Sequence, residues 1–130
     1  MKIHHVGYLV KKLDKALKAF QGLGYAVAQD KIFDLQRGVD IVFLEKDGYS
    51  IELVSPVSPE SVVADIIKRL GNNAYHICYE TSDINMEIER LRNEHYVVCS
   101  EPNVAPACGG CRVCFLIHPH LGMIELIEVP

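Results

Sequence analysis

Apolar and polar side chains alternate with two different periods along the chain, which predicts both helices and strands. Apolar residues recur at helical spacing in three segments, and Gly24 and Gly71 follow the first two, where a glycine favours a helix end. The helices are predicted at about residues 13–23, 58–71 and 82–93. Runs rich in β-branched and aromatic residues predict eight strands, at about residues 3–10, 25–34, 39–45, 49–55, 74–80, 96–100, 111–118 and 122–128.

The second predicted helix has recognisable signals at both ends. In "SPESVVADIIKRLG", Ser58 is a candidate N-cap, Pro59 suits the first turn, and Gly71 follows the last apolar residue. This helix separates two series of elements that have the same order: one strand, one helix and then further strands. We therefore interpret it as a linker between two related modules.

The same residue pattern occurs in both series. When His5 is aligned with His76, the two copies run for 20 residues without a gap. They close on the similar strands "IELVSP" and "IELIEV", which bring Glu52 into line with Glu125. The chain is predicted to be a single α+β domain, residues 1–130, in which two paired βαβββ modules form a curved mixed sheet around a metal site. The first module is expected at about 1–56, the linker helix at about 58–71 and the second module at about 73–130.

Each module thus has one histidine on its first strand and one glutamate on its last. A glutamate is rarely buried in an apolar strand unless it is paired or binds a cation. If the modules pack with approximate two-fold symmetry, His5, Glu52, His76 and Glu125 converge. Two imidazoles and two carboxylates suit divalent Zn, Co, Ni, Fe or Mn and leave positions open for water or substrate. Strand alternation points His4 to the opposite face from His5, so we select His5.

Composition limits the possible partners. The chain has 130 residues, of which 49% are hydrophobic, and its formal net charge is −4. This balance offers no basic surface for nucleic acid, and no apolar run approaches the roughly 18–20 residues of a membrane span. The first ten residues, "MKIHHVGYLV", lack the features of a signal peptide. We expect a cytoplasmic protein with a small-molecule substrate and neither a nucleic-acid nor a membrane partner.

The five cysteines do not indicate a disulfide framework, because their number is odd and no secretion signal accompanies them. Cys108 and Cys111 form a Cys-x-x-Cys motif in a glycine-rich loop, which fits either a soft-metal site or a redox pair. A closed structural zinc site needs four ligands, and the chain has no second such pair. We therefore expect no required role for this motif. Cys78, Cys99 and Cys114 lie in apolar stretches and are predicted to be buried.

The chain resembles the vicinal oxygen chelate superfamily, and within it most closely the methylmalonyl-CoA epimerases, over almost its whole length. The motifs that carry the resemblance are "HHVGYLVKKLDKAL", "GVDIVFLEKDGYSIELVSP", "SPESVVADIIKRLG", "AYHICYETSDI", "SEPNVAP" and "FLIHPHLGMIELIE". The superfamily is built from two βαβββ modules around one metal. The resemblance implies metal ligands at His5, Glu52, His76 and Glu125, an acyl-CoA as a possible substrate and a homodimer.

The resemblance also implies a metal-dependent isomerase or lyase that transfers a proton next to a thioester carbonyl. The metal would hold a thioester and a carboxylate oxygen and stabilise an enolate, while a base removes the α-proton and an acid returns it on the other face. Glu125 is implied as both ligand and acid/base group. Two family carboxylates are replaced here by Gln36 and Ile41. Asp40 and Glu45 lie nearby on opposite strand faces, and we select Asp40 as the second catalytic candidate.

Two other functions stay open at this point. A glyoxalase I-type enzyme would act on a glutathione hemithioacetal, and Lys11, Lys12 and Arg37 are candidates for contacts with glutathione. A non-catalytic protein that binds small molecules, as bleomycin-resistance proteins do, is the second alternative. Such proteins usually lack the four ligands, so the intact set argues against it.

Overall fold

A computed structural model describes all 130 residues, which form strands, three α-helices and a 3₁₀ helix at Pro106–Cys108. The helices are α1 (Leu13–Gly22), α2 (Ala64–Leu70) and α3 (Ile84–Arg92). The strands are β1 (Ile3–Leu9), β2 (Ala26–Asp34), β3 (Val39–Lys46), β4 (Tyr49–Pro56), β5 (Asn73–Thr81), β6 (Val97–Val98), β7 (Asn103–Val104), β8 (Arg112–His118) and β9 (Gly122–Glu128). None of the helices combines the length and the apolar composition that a bilayer crossing requires.

The chain divides into two compact units. The first unit comprises Val6–Tyr75, and the second comprises Met1–His5 together with His76–Pro130. The boundary falls inside β1, so the first residues of that strand belong to the second unit. There the backbone N–H of Glu80 donates a hydrogen bond to the carbonyl of Lys2 over 2.8 Å.

The first unit is a four-stranded mixed sheet covered by α1. Its strands lie in the order β2-β3-β4-β1, with β1 parallel to β4 and the other neighbours antiparallel. The apolar residues of α1 recur at helical spacing and face the sheet, which removes their side chains from water. The buried residues of this cluster are Val10, Leu13, Val42, Leu44 and Leu53.

The second unit repeats this design with α3. Its strands lie in the order β5-β9-β8-β6, β7 pairs with β8, and β5 is parallel to β9. The residues that α3 and its sheet bury against each other are Ile84, Ile88, Leu91, Cys114, Leu116, Ile124 and Leu126. A strand, a helix and an antiparallel group of strands therefore follow one another in both halves of the chain.

The strand registers reproduce the sequence repeat. Glu52 of β4 lies opposite Gly7 of β1, and Glu125 of β9 lies opposite Cys78 of β5. Gly7 and Cys78 each follow the aligned histidine of their own strand by two residues. The predicted α+β fold of two βαβββ modules is confirmed.

The linker helix begins later than its sequence signals predicted. It starts at Ala64, and Ser58 is not its N-cap. The segment before Ala64 forms turns, because the Ser61 hydroxyl donates a hydrogen bond to the carbonyl of Arg37, 3.2 Å away, and holds the chain outside a helical path. The predicted end is confirmed, since Gly71 follows the last helical residue with a φ of 69°, which favours glycine.

The segment before β8 also departs from its prediction. The expected strand at 96–100 is reduced to Val97–Val98, and β7 was not predicted. Two glycines with positive φ, Gly109 and Gly110, turn the chain between the 3₁₀ helix and β8. A two-residue strand has too few side chains to produce an alternating pattern, which is why the sequence did not indicate β7.

Candidate metal centre

Three of the four predicted ligands come together inside the second unit. His5 and His76 approach each other through their Nε2 atoms, which are 3.2 Å apart. Each Nε2 lies 3.1 Å from Oε1 of Glu125. All three side chains are buried, with exposed fractions of 0% for both histidines and 4% for Glu125. Three donor atoms therefore point at one another inside a buried site.

This triangle has the dimensions of a metal site. Donor atoms that bind one ion at about 2.1 Å, at tetrahedral or octahedral angles, lie about 3.0–3.4 Å from each other. Oε1 of Glu125 is buried and receives no well-directed hydrogen bond. A buried carboxylate oxygen in that position needs a compensating positive charge, which a cation at the centre of the triangle would supply. Two imidazoles and one carboxylate suit a divalent transition metal.

The electrostatics of Glu125 favour its ionised form. Burial by itself raises the pKa of this carboxyl group, but the two imidazoles at 3.1 Å outweigh burial, and the pKa lies well below its ordinary value. The ring of Phe115 meets that of His76 edge to face with centroids 5.2 Å apart, and Phe115 is also the antiparallel neighbour of Glu125. The phenyl ring thus packs against the ring of His76, and its residue pairs with Glu125 in the sheet.

Glu52, the fourth predicted ligand, belongs to the first unit. It lies in the middle of β4 and is buried, with an exposed fraction of 4%. Its antiparallel neighbour is Phe43, which corresponds to the phenylalanine beside Glu125, and its parallel neighbour is Gly7. The two glutamates therefore have the same strand environment.

Asp40, the second catalytic candidate, does not lie with Glu52. The β3–β4 register pairs Asp40 with Ser55 and Phe43 with Glu52. Since successive side chains alternate between faces, Asp40 projects from the face that packs on α1, and Glu52 projects from the other. Asp40 lines an open pocket of about 320 Å³ beside α1, together with Lys12, Leu13, Asp14, Lys15, Lys31 and Ser55.

His4 belongs to the site although sequence reasoning set it aside. Its Nδ1 lies 2.8 Å from Nδ1 of His5, and the two rings meet edge to face with centroids 5.0 Å apart. Strand alternation separates the Cβ atoms of adjacent residues, but two imidazole rings are long enough to reach each other around the strand. The consecutive pair "HH" was the only available sequence signal of this contact.

The cysteines are all free thiols. Cys78 and Cys114 are buried as predicted, whereas Cys99 is exposed, so its predicted burial is wrong. Cys99 follows the short strand β6 at an edge of the sheet, where no element covers it. Burial raises the pKa of the Cys114 thiol to about 11, so this group stays protonated and unreactive near neutral pH.

Comparison with known proteins adds a family relationship. Residues 4–115 match the model of the Glyoxalase/Bleomycin resistance protein/Dioxygenase superfamily. The chain is 28% identical over 122 residues to the ethylmalonyl-CoA/methylmalonyl-CoA epimerase of Cereibacter sphaeroides, with 91% of this chain and 88% of that protein covered. It is also 28% identical over 119 residues to the mitochondrial methylmalonyl-CoA epimerase of Homo sapiens, covering 91% of this chain and 66% of the human protein.

Solved structures show the same fold. The methylmalonyl-CoA epimerase from Mycobacterium tuberculosis superposes with a TM-score of 0.84 at 26% identity, over 98% of this chain and 88% of that one. A hypothetical protein from Bacillus halodurans gives a TM-score of 0.85 at 27% identity, over 99% and 94% of the two chains. An epimerase in complex with methylmalonyl-CoA and NH4+ gives 0.82 at 25% identity, over 98% and 93%. The similarity extends over nearly the whole length of each chain.

Proposed function

The chain belongs to the glyoxalase/bleomycin resistance protein/dioxygenase superfamily, and on this premise we propose that it is a metal-dependent epimerase of acyl-CoA thioesters. The reaction is the transfer of a proton at the carbon next to the thioester carbonyl. Methylmalonyl-CoA is the substrate we assign, since the named enzymes among its relatives and structural neighbours are methylmalonyl-CoA epimerases. A homodimer remains the expectation from the resemblance, and a cytoplasmic location remains the expectation from the sequence.

The ligand triangle is the observation that carries this proposal. His5, His76 and Glu125 would hold the cation through the three donor atoms that lie 3.1–3.2 Å apart. Glu52 is proposed as the fourth ligand. It is buried, and it lies opposite Gly7, which follows His5 by two residues on the same strand face.

A divalent cation bound there supplies Lewis acidity, which lowers the energy of negative charge on a substrate oxygen. The protein supplies the group that moves the proton. Glu125 is the proposed base, because its lowered pKa keeps it ionised and it has two oxygens. Oε1 faces the triangle, and the second oxygen takes the α-proton and leaves its electron pair in the enolate. Inversion then requires a second acid, on the opposite face, that donates its own proton to the same carbon, while Glu125 keeps the proton it removed.

The group that acts on the opposite face is not Asp40 in this proposal. Asp40 projects from the sheet face that packs on α1, which is opposite to the face of Glu52, the proposed fourth ligand. We keep Asp40 as a residue of the α1 pocket.

The proposal is tested by following solvent deuterium into the α-position of methylmalonyl-CoA. Metal-stripped protein, protein reloaded with Zn, Co, Ni, Fe or Mn, and a His76→Ala variant are compared, with a glutathione hemithioacetal as a second substrate. We expect exchange and epimerisation only after reloading, and no activity in the variant. Turnover of the hemithioacetal without exchange of the thioester would instead indicate a glyoxalase I-type lyase. Exchange that is equal in stripped and reloaded protein would contradict the metal role.

A further inference from the structure

His4 makes a contact that the proposed mechanism does not use. The residue precedes His5 on β1 and is half-buried. Its Nδ1 is 2.8 Å from Nδ1 of His5, a hydrogen-bond distance between two ring nitrogens. The other nitrogen of His5, Nε2, is the atom that enters the ligand triangle. The two nitrogens of the His5 ring therefore face two different partners.

The protonation of His5 follows from that arrangement. A neutral imidazole carries one proton, and a ring that binds a cation through Nε2 must carry it on Nδ1. The Nδ1–H of His5 then donates to Nδ1 of His4, so His4 carries its own proton on Nε2. Partners that fix the tautomer and orientation of a metal-binding histidine commonly change metal affinity about 10- to 100-fold.

We propose that His4 is a positioning residue, which accepts a hydrogen bond from His5 and holds the His5 ring with Nε2 directed at His76 and Glu125. This inference rests on the proposed function, because it assigns His4 a role toward the proposed cation. His4 is not itself a ligand. Its Nδ1 faces Nδ1 of His5, which is not the nitrogen of His5 that enters the ligand triangle.

A competing interpretation comes from Cys78. One donor atom from each of His4, His5 and Cys78 lies within 4.8 Å of the other two, and two imidazoles with a thiolate also form a ligand set for zinc. In that arrangement His4 and Cys78 would bind a second ion, and His5 would bridge two metals. The two interpretations predict different stoichiometries: one ion per chain for a positioning His4, and two for a ligand.

The test compares His4→Phe, His4→Asn and the control His120→Asn, which removes an exposed imidazole. Zinc affinity is measured by competition with a chromophoric chelator, and the site geometry by the visible spectrum of the cobalt-loaded protein. We expect His4→Phe to weaken zinc binding about 10- to 100-fold and to change the cobalt spectrum. Asn has an oxygen near the position of Nδ1 that accepts a hydrogen bond, so His4→Asn should restore most of both properties. His120→Asn should match the unaltered protein.

Two results would overturn the inference. One is a His4→Phe variant that folds, as judged by its thermal unfolding, and keeps unaltered affinity and spectrum. The other is a second equivalent of metal that is lost in both His4→Phe and Cys78→Ser.

If the unaltered protein binds no metal, the proposed function fails separately. The contact is then read from the ¹⁵N shifts of the His5 ring in metal-free protein. A proton on Nδ1 that becomes redistributed between the ring nitrogens in His4→Phe supports the positioning contact, and an unchanged ring contradicts it.

Discussion

The two Ile-Glu-Leu strands share a backbone frame but belong to different units of the chain. Glu52 and Glu125 both lie beside a parallel strand and opposite a phenylalanine of the preceding antiparallel strand. In the second unit, Oε1 of Glu125 has two imidazole nitrogens at 3.1 Å, whereas the first unit contains neither His5 nor His76. The repeat therefore keeps the register of the glutamate in each unit, while the unit boundary inside β1 assigns both aligned histidines to the second unit.

The helices of the two units differ in a similar way. α3 begins after Asp83, whose carboxylate accepts a hydrogen bond from the N–H of Met86 over 3.0 Å. The carboxylate of Glu128 accepts a hydrogen bond from the N–H of Ile84, the first helical residue. α1 begins after Lys12, which provides no side-chain cap. The second unit thus combines the ligand triangle with a helix whose start is fixed by two carboxylates.

We expect the largest effect on activity from substitution of the two glutamates, and the two substitutions should differ in size. Glu125→Gln should lower epimerase activity about 1,000-fold, because it removes both a ligand and the proposed base, and general-base catalysis alone contributes about 10²- to 10⁴-fold. Glu52→Gln should lower activity less, through weaker metal binding only. Activity assays at saturating metal distinguish the two, since excess metal should rescue Glu52→Gln alone. Equal, unrescued losses would contradict separate roles.

The next largest effect is on the free energy of unfolding, and it shows whether the hydrophobic cores of the two units contribute equally to stability. Leu53 and Leu126 follow the two glutamates, and both are 0% exposed. Truncation of a fully buried leucine leaves a cavity, so Leu53→Ala and Leu126→Ala should each lower the free energy of unfolding by about 2–5 kcal/mol. Urea unfolding of the metal-free proteins measures both values. A difference of more than about 3 kcal/mol would show that one core dominates stability.

A smaller effect concerns the helix starts. Asp83→Ala should destabilise the protein by about 1 kcal/mol, because the N–H of Met86 loses its side-chain acceptor. Lys12→Asp should stabilise it by up to about 1 kcal/mol. The extended backbone at Lys12 (φ −129°, ψ 102°) suits a capping residue, and an acidic side chain complements the helix dipole. Thermal unfolding of both variants is the measurement, and a destabilised Lys12→Asp would contradict this view of α1.

The smallest effect is a pH dependence at Glu128. The backbone N–H of Ile84, followed by Arg112, lowers the pKa of Glu128 below its ordinary value of 4.5. A lowered pKa in the folded state stabilises the protein above that ordinary value, and the contribution is lost as the pH falls through the folded pKa. Glu128→Gln should therefore lose less stability than the unaltered protein as the pH falls below 4.5, the ordinary pKa of the carboxyl group. The aligned position in the first unit is Ser55, and Ser55→Ala should leave the pH dependence unchanged.

Much of this architecture could be predicted from the sequence, because each amphipathic element carries its own periodic signal. His5 could also be predicted as a ligand from the repeat, because it aligns with His76 without a gap. The start of α2 could not be predicted, because a hydrogen bond from Ser61 to the distant carbonyl of Arg37 holds the preceding segment. The His4 contact was missed for a related reason. The alternation of a strand predicts only the direction of each Cβ atom. The Nδ1 atoms of His4 and His5 lie two bonds beyond their Cβ atoms and can still reach each other.

The composition of the second unit has a consequence during protein synthesis. The contact between the Nε2 atoms of His5 and His76 closes a loop of 71 residues, and Glu125 lies near the other end of the chain. The first unit, Val6–Tyr75, is completely translated before His76 of β5 is added to the chain. Glu125 follows His76 by 49 residues, so the triangle can form only after β9 has been synthesised. The proposed metal site is therefore completed later in synthesis than the whole of the first unit.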